Sequence, residues 1–158
     1  MTKTMDLQQL FDFAAKSAAN IFNDTGEVMA MWHAVAGNGE NVIIATPWRN
    51  DDQKDATIRA LRQVFAAKQV KRFAFVCEAW MATADPSQGR TAATYSGVMP
   101  SKHPDRREVL MIRAEDRDGS MLAGMYYILR PECGPAKLSP LKMQDYDQTS
   151  GRMVGMLS

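Results

Sequence analysis

The length, composition and charge of the chain indicate one folded domain and argue against disordered, disulfide-rich and strongly basic proteins. A chain of 158 residues can bury a hydrophobic core without disulfide or metal crosslinks. Its 46% apolar and 23% charged residues do not fit intrinsic disorder, which combines low hydrophobicity with high net charge. The formal net charge of +1 argues against nucleic acid as a partner, because nucleic-acid-binding proteins usually present a basic face.

The sequence also predicts a cytoplasmic protein with no membrane partner. Its two cysteines, Cys77 and Cys133, cannot form a disulfide framework and favour a reducing compartment. No apolar run approaches the roughly 18–20 residues that cross a bilayer. Asp6 and Asp12 interrupt the segment in which a secretory signal would be continuously apolar.

The first half of the chain predicts a helix followed by a β-hairpin. Apolar residues recur at helical spacing through residues 5–22, which favours a helix with one buried stripe. Residues 27–36 alternate and residues 41–48 include a β-branched run, and both patterns are typical of strands. Asn38 and Gly39, which lie between them, predict a tight turn.

The second half predicts another helix and three strands. Residues 52–69 have helical apolar spacing, whereas residues 72–82 alternate between two faces as a strand does. Residues 108–115 and 120–130 form a second predicted hairpin. Its turn, residues 116–119, ends in an Asp-Gly pair that supplies the positive φ angle such turns require.

These elements predict a single α+β domain over residues 1–158. The order is α-β-β-α-β-β-β, with a further short helix predicted at residues 150–157 within an otherwise irregular segment, 131–158. Hairpins make neighbouring strands antiparallel, so we expect a mostly antiparallel five-stranded sheet. Helices would cover one or both of its faces, which leaves two-layer and three-layer arrangements open.

A long polar loop at residues 83–107 is the first candidate for a functional region. It has almost no hydrophobic period and is too long for an ordinary strand connection. Such loops are often functional, and its basic end suggests anion binding, with the histidine as a proton carrier. The competing interpretation is a solvated surface loop with local charge pairs. The candidate binding residues in it are Lys102, His103, Asp105, Arg106 and Arg107.

Two residues of the preceding strand are the second candidate. Glu78 and Trp80 interrupt an apolar run just before the loop begins. The Glu78 carboxylate would be solvated, paired with a cation such as Arg113, or buried with a raised pKa as an acid or base. Trp80 would line a pocket or pack into the core.

No metal, cofactor or nucleophile site is predicted. His33 and His103, together with the two cysteines, match no structural zinc spacing. No serine or cysteine lies in a nucleophile elbow, and the glycines form no phosphate-binding loop. A catalytic signature is therefore not assembled anywhere in the sequence.

Two resemblances add to this interpretation. The first is carried by the motifs Glu78-Ala79-Trp80, His103-Pro104-Asp105-Arg106-x-Glu108 and Asp116-x-Asp118-Gly119. It resembles a pattern in small uncharacterised proteins of bacteria and phages, and it implies no activity. The second is the order of elements, which is similar to that of roadblock and longin domains. These domains are dimeric scaffolds and regulators.

The sequence favours a non-catalytic binding or regulatory protein that contacts a protein partner or a small anion through the 83–107 loop. A homodimer formed by sheet extension is compatible with this hypothesis. The first alternative is a small hydrolase in which Glu78 acts with His103 or Asp105 as acid and base. The second is a nucleic-acid-binding accessory protein, whose affinity would fall steeply with salt.

Overall fold

The computed structural model describes residues 4–81, 107–144 and 156–157, which form two helices and seven strands. In chain order the elements are α1 (Leu7–Thr25), β1 (Met31–Val35), β2 (Asn41–Ala45), α2 (Asp51–Ala67), β3 (Arg72–Met81), β4 (Arg107–Asp116), β5 (Met121–Leu129), β6 (Lys137–Leu138) and β7 (Lys142–Gln144).

The α+β class and the antiparallel sheet are confirmed, but the predicted count of five strands is too low. The strand order is β2-β1-β3-β4-β5-β6, and β7 also pairs with β5. The two additional strands lie in the segment 131–158, where none was predicted. They are two and three residues long, too short for an alternating pattern to be visible in the sequence. Of the predicted helix at 150–157, only the last two residues are described, and they form a turn.

Helix α1 begins and ends where the sequence supplies capping groups. The Asp6 carboxylate accepts the Gln9 backbone N–H at 2.8 Å, and the Gln9 side chain accepts the Asp6 N–H at 3.0 Å. This reciprocal capping box satisfies two of the donors that the first turn leaves open. At the other end Gly26, at φ 83°, donates to the Phe22 carbonyl. The helix therefore extends through Thr25, beyond the predicted end at residue 22.

The two helices pack on opposite faces of the sheet, so the protein has three layers. Along β3 the side chains alternate between these faces. Ala74 and Val76 belong to the core under α1, and Phe73 and Phe75 belong to the core under α2. We call these two sides of the sheet the α1 face and the α2 face.

Strands β3 and β4 form the longest pair in the sheet and fix the position of the candidate site. They pair from Arg72 with Asp116 to Met81 with Arg107. The segment between them, residues 82–106, lies outside the described residues. Arg107, which was predicted to end the loop, is instead the first residue of β4. No helix in the described ranges is long and apolar enough to span a membrane.

Candidate functional site

Three of the predicted site residues are described, and they lie where β3 and β4 reach the end of the sheet. Trp80 pairs with Glu108, and Glu78 pairs with Leu110. Arg107 pairs with Met81, the last residue of β3. The remaining candidates fall outside the described residues: Lys102, His103, Asp105 and Arg106.

A cleft of about 220 Å³ opens beside Trp80. We call it the Trp80 cleft, and its walls are Glu78, Ala79, Trp80, Glu108, Ile128 and Arg130. Paired residues in an antiparallel ladder project to the same face. Because Leu110 and Ile128 belong to the α1-side core, Glu78 and Glu108 also project to the α1 face. The cleft is therefore the part of this face beyond the C-terminal end of α1.

Trp80 and Ile128 form the apolar part of the cleft. The Trp80 residue is 41% exposed although it lies on a long paired strand, whereas Ile128 is 8% exposed. The ladder fixes the backbone of Trp80, and an indole has only two side-chain torsions, so little conformational entropy is lost when the ring is covered. The cleft thus presents a half-exposed indole on the same face as a buried aliphatic side chain.

The Glu78 carboxyl supplies an acidic group with a perturbed pKa. Partial burial raises its pKa, and the nearby Glu27 and Glu108 carboxylates raise it further. A hydrogen bond with the Val28 backbone and the charge of Arg130 act in the opposite direction. Burial is the largest of these effects, so the net shift is upward. An approaching cation would favour the charged form of this carboxylate.

The Glu108 carboxylate and Arg130 are tied to each other. One carboxylate oxygen of Glu108 accepts from Arg130 Nη2 at 2.7 Å and from Nε at 2.8 Å. The Arg130 side chain is 56% exposed, so this pair adds little stability. The ion pair does, however, balance the positive charge of Arg130 against the Glu108 carboxylate within the wall of the cleft. Among the described residues, Glu78 and Glu27 then leave the surroundings of the cleft acidic.

The Glu78–Arg113 pair considered from the sequence does not form. Arg113 pairs with Phe75 and therefore projects to the α2 face, whereas Glu78 projects to the α1 face. Its guanidinium is buried and lies 3.1 Å from the Glu115 carboxylate. Alternation along a strand thus separates two charges that the sequence alone allowed to meet.

Arg107 is also separated from Glu78 by the sheet. It projects to the α2 face, where its guanidinium carbon lies 5.3 Å from the centre of the Tyr127 ring. A second hollow of about 350 Å³ shares Trp80, Glu108 and Arg130 with the Trp80 cleft and adds Arg107 and Tyr127. Among the described residues, the end of the sheet therefore has an acidic α1 face, whereas its α2 face carries the Arg107 cation stacked on an aromatic ring.

The described residues do not assemble a metal site. His33 projects to the α1 face, where its ring meets the Phe13 ring at 5.6 Å, and Cys77 packs on the α2-side core. Burial raises the pKa of the Cys77 thiol to about 11, so it remains protonated. In the described part of the chain no three histidine, cysteine or carboxylate side chains are grouped as metal ligands.

A larger hollow, of about 480 Å³, lies at the opposite end of the sheet. Its charged residues are Lys71 and Arg117. Arg117 Nη2 donates to the Val70 carbonyl at 2.6 Å, so its guanidinium holds the start of β3 in place. Met156 and Leu157, which line the same hollow, are buried core residues. These contacts favour a structural role for this end of the molecule.

Two charged residues of the Trp80 cleft, Glu108 and Arg130, were not predicted as site residues. The sequence predicted Glu108 as the start of a strand and the last residue of the His103–Glu108 motif, and Arg130 as the end of another strand. Their meeting depends on the register between β4 and β5. The Asp118-Gly119 turn sets that register, and it is the signal that could have brought them together.

Comparison of the chain with protein-family models, with curated proteins and with solved structures gives no match. The resemblance to small bacterial and phage proteins and the similarity to roadblock and longin domains both remain predictions. Function is therefore inferred from the shape and charge of the Trp80 cleft.

Proposed function

We propose that the chain is a non-catalytic binding protein of a bacterium or phage, and that it holds a protein partner at the Trp80 cleft. The observation that carries this proposal is a half-exposed tryptophan beside the Glu78 carboxylate on a paired strand. The cleft lies at the base of the segment 82–106, which was predicted to make contacts of its own.

The tryptophan supports a protein partner. Exposed Trp side chains that become covered on association contribute a large share of binding energy at protein interfaces. Trp80 is flanked by the partly exposed Glu78 and Arg130. This arrangement, an apolar centre with a polar rim, is typical of a protein-binding surface.

The charges of the cleft indicate which partner segment fits. A lysine or arginine could lie over the Trp80 ring and approach the Glu78 carboxylate, combining a cation–π contact with an ion pair. A neighbouring apolar residue would cover Ile128. We therefore propose a partner segment with a basic residue beside an apolar one. Nucleic acid and small anions fit less well, because their negative charge would face the Glu78 carboxylate.

Binding of short synthetic peptides tests this proposal. One peptide series carries Lys or Arg next to Leu, and a matched series carries Glu in place of the basic residue. We expect the protein to bind only the basic series, and Trp80→Ala to weaken that binding by about 2 kcal/mol, roughly thirtyfold. Affinity would be measured by fluorescence anisotropy of the labelled peptides.

The matched control is Met143→Ala, which removes another exposed apolar side chain (48% exposed) from β7. It should leave binding unchanged. The pKa of Glu78 is raised, so as pH falls this carboxylate loses its charge at a higher pH than an ordinary carboxylate does. Binding by the wild type should therefore decline at acidic pH. Glu78→Gln should weaken binding and should not show this decline. Equal binding of both peptide series, or full binding by Trp80→Ala, would contradict the proposal.

A small hydrolase is the second candidate, favoured by the raised pKa of Glu78. A carboxyl that keeps its proton at higher pH can act as a general acid. Its proposed partners, His103 and Asp105, lie outside the described residues. Hydrolysis of chromogenic ester, phosphate or glycoside substrates that disappears in Glu78→Gln would favour this function over binding.

A further inference from the structure

Strand β2 forms one edge of the sheet. Among the described residues only β1 pairs with it, from Val35 with Asn41 to Met31 with Ala45. An edge strand presents a row of unpaired N–H and C=O groups to any strand that approaches. The nature of this edge therefore decides whether a second chain can extend the sheet.

The hydrogen bonds at the two ends of the β1–β2 pair show which residues face outward. The Ala36 N–H donates to the Glu40 carbonyl and the Thr46 N–H donates to the Ala30 carbonyl, both at 2.8 Å. Bonded and non-bonded pairs alternate in an antiparallel ladder. Even-numbered residues of β2 therefore bond to β1. The residues whose backbone groups point away from β1 are Asn41, Ile43 and Ala45.

This edge lacks the features that usually protect an edge strand. Its sequence is Asn-Val-Ile-Ile-Ala, without a charged residue, a proline or a glycine. Natural proteins protect edges with lysine, proline, bulges or inward-pointing charges. Ile43, at the centre of the strand, is 56% exposed. An uncharged edge that no second described strand covers, with a central exposed isoleucine, is typical of a surface that another strand covers.

We propose that two copies of the chain pair β2 with β2 as antiparallel strands about a twofold axis at Ile43. Asn41 and Ala45 are equally distant from Ile43 along the strand, so each Asn41 lies opposite Ala45 of the second copy. All three outward-facing residues of each copy then form bonded pairs. The sheets of the two copies join into one continuous sheet.

The charges next to β2 are compatible with this register. Glu40 precedes the strand, and the same register places it opposite Thr46 of the second copy. The two Glu40 carboxylates therefore do not face each other across the axis. Like charges directly opposite in a ladder would be destabilising, and this pairing avoids them.

An apolar strip beside the axis supplies further contact area. On the α1 face, Ile43 pairs with His33, whose ring meets the ring of Phe13, itself 43% exposed. A five-residue strand is about 17 Å long, and its pairing covers less than the roughly 800 Å² per partner of a stable complex. We therefore expect a reversible dimer that dissociates on dilution. It uses no residue of the Trp80 cleft and is independent of the function proposed above.

Analytical ultracentrifugation of the full chain over a wide range of concentrations tests the dimer. The wild type should pass from monomer to dimer as concentration rises. Ile43→Lys places two positive charges at the axis and should weaken dimerisation by about tenfold or more. Met143→Lys, a matched change at an exposed methionine of β7, should dimerise as the wild type does.

Cysteine crosslinking tests the register, and it does not depend on how Ile43→Lys behaves. In a Cys133→Ser background, Ile43→Cys should form a disulfide-linked dimer, because bonded antiparallel pairs have Cα atoms about 5.5 Å apart. Asn41→Cys should not, since its counterpart lies four residues away along the ladder, about 13 Å. A wild type that stays monomeric throughout, or equal crosslinking of the two variants, would overturn the proposal.

Discussion

Gly124 is the residue at which α1 approaches the sheet most tightly among the described glycines. A Cβ atom added there would lie 3.0 Å from Phe11 Cζ and 3.2 Å from the Lys142 carbonyl oxygen. Phe11 is fully buried, so its ring has little room to move. We expect Gly124→Ala to lower the free energy of unfolding by roughly 1–3 kcal/mol, the usual cost of overpacking. Urea denaturation followed by circular dichroism measures this change.

The double variant with Phe11→Leu is the control for that explanation. A smaller side chain at position 11 relieves the closer of the two contacts, so Gly124→Ala should cost less in this background than in the wild type. An equal cost in both backgrounds would show that the contact with Phe11 is not the cause.

The stability of α1 as an element depends on its N-terminal capping box. Asp6→Ala removes the acceptor of the Gln9 N–H and should lower the free energy of unfolding by about 1 kcal/mol. Asp6→Asn keeps an acceptor oxygen and should cost much less. If both variants lose the same stability in urea denaturation, the carboxylate charge at the helix start, rather than the hydrogen bond, is what stabilises the helix.

The elements that the sequence predicts well are those with a long hydrophobic period. Both helices and the strands β1–β5 repeat apolar residues often enough to reveal a buried face. Strand β1 is shorter than the predicted 27–36, since only Met31–Val35 forms the strand. Before it, the Val28 backbone bonds to the Glu78 side chain. Such a contact between distant segments leaves no local signal in the sequence.

At the scale of the whole molecule, the site was only partly predictable, because contacts between distant segments leave no local signal in the sequence. Glu78 and Trp80 stand out because they interrupt an apolar strand. Glu108 and Arg130 become part of the cleft only when β3, β4 and β5 align. Which face a residue joins depends on this alignment, and one step along a strand reverses it. Arg107 and Arg113 project to the α2 face for this reason and do not meet Glu78.

The shared strand β3 also predicts that the two hydrophobic layers unfold together. Ala74 and Val76 pack under α1 while Phe73 and Phe75 pack under α2, so neither layer can lose its strand without disturbing the other. Trp32, fully buried on the α2 face beside Phe75, reports on one layer alone when Trp48 and Trp80 are replaced by Phe. Circular dichroism reports on both layers.

In the protein with Trp48 and Trp80 replaced by Phe, Phe22→Ala removes a buried ring from the α1-side core. This change should lower the free energy of unfolding by about 3–5 kcal/mol. Its effect should reach Trp32 on the far side of the sheet, because a single cooperative domain has one transition for every probe. We therefore expect fluorescence and circular dichroism midpoints in urea to coincide and to fall together. Phe22→Leu keeps more of the buried apolar volume than alanine does and should cost less, so it should shift both midpoints less, again in step. A Trp32 midpoint that stays at its original urea concentration while the circular dichroism signal splits would mean that the α2 layer folds independently of α1.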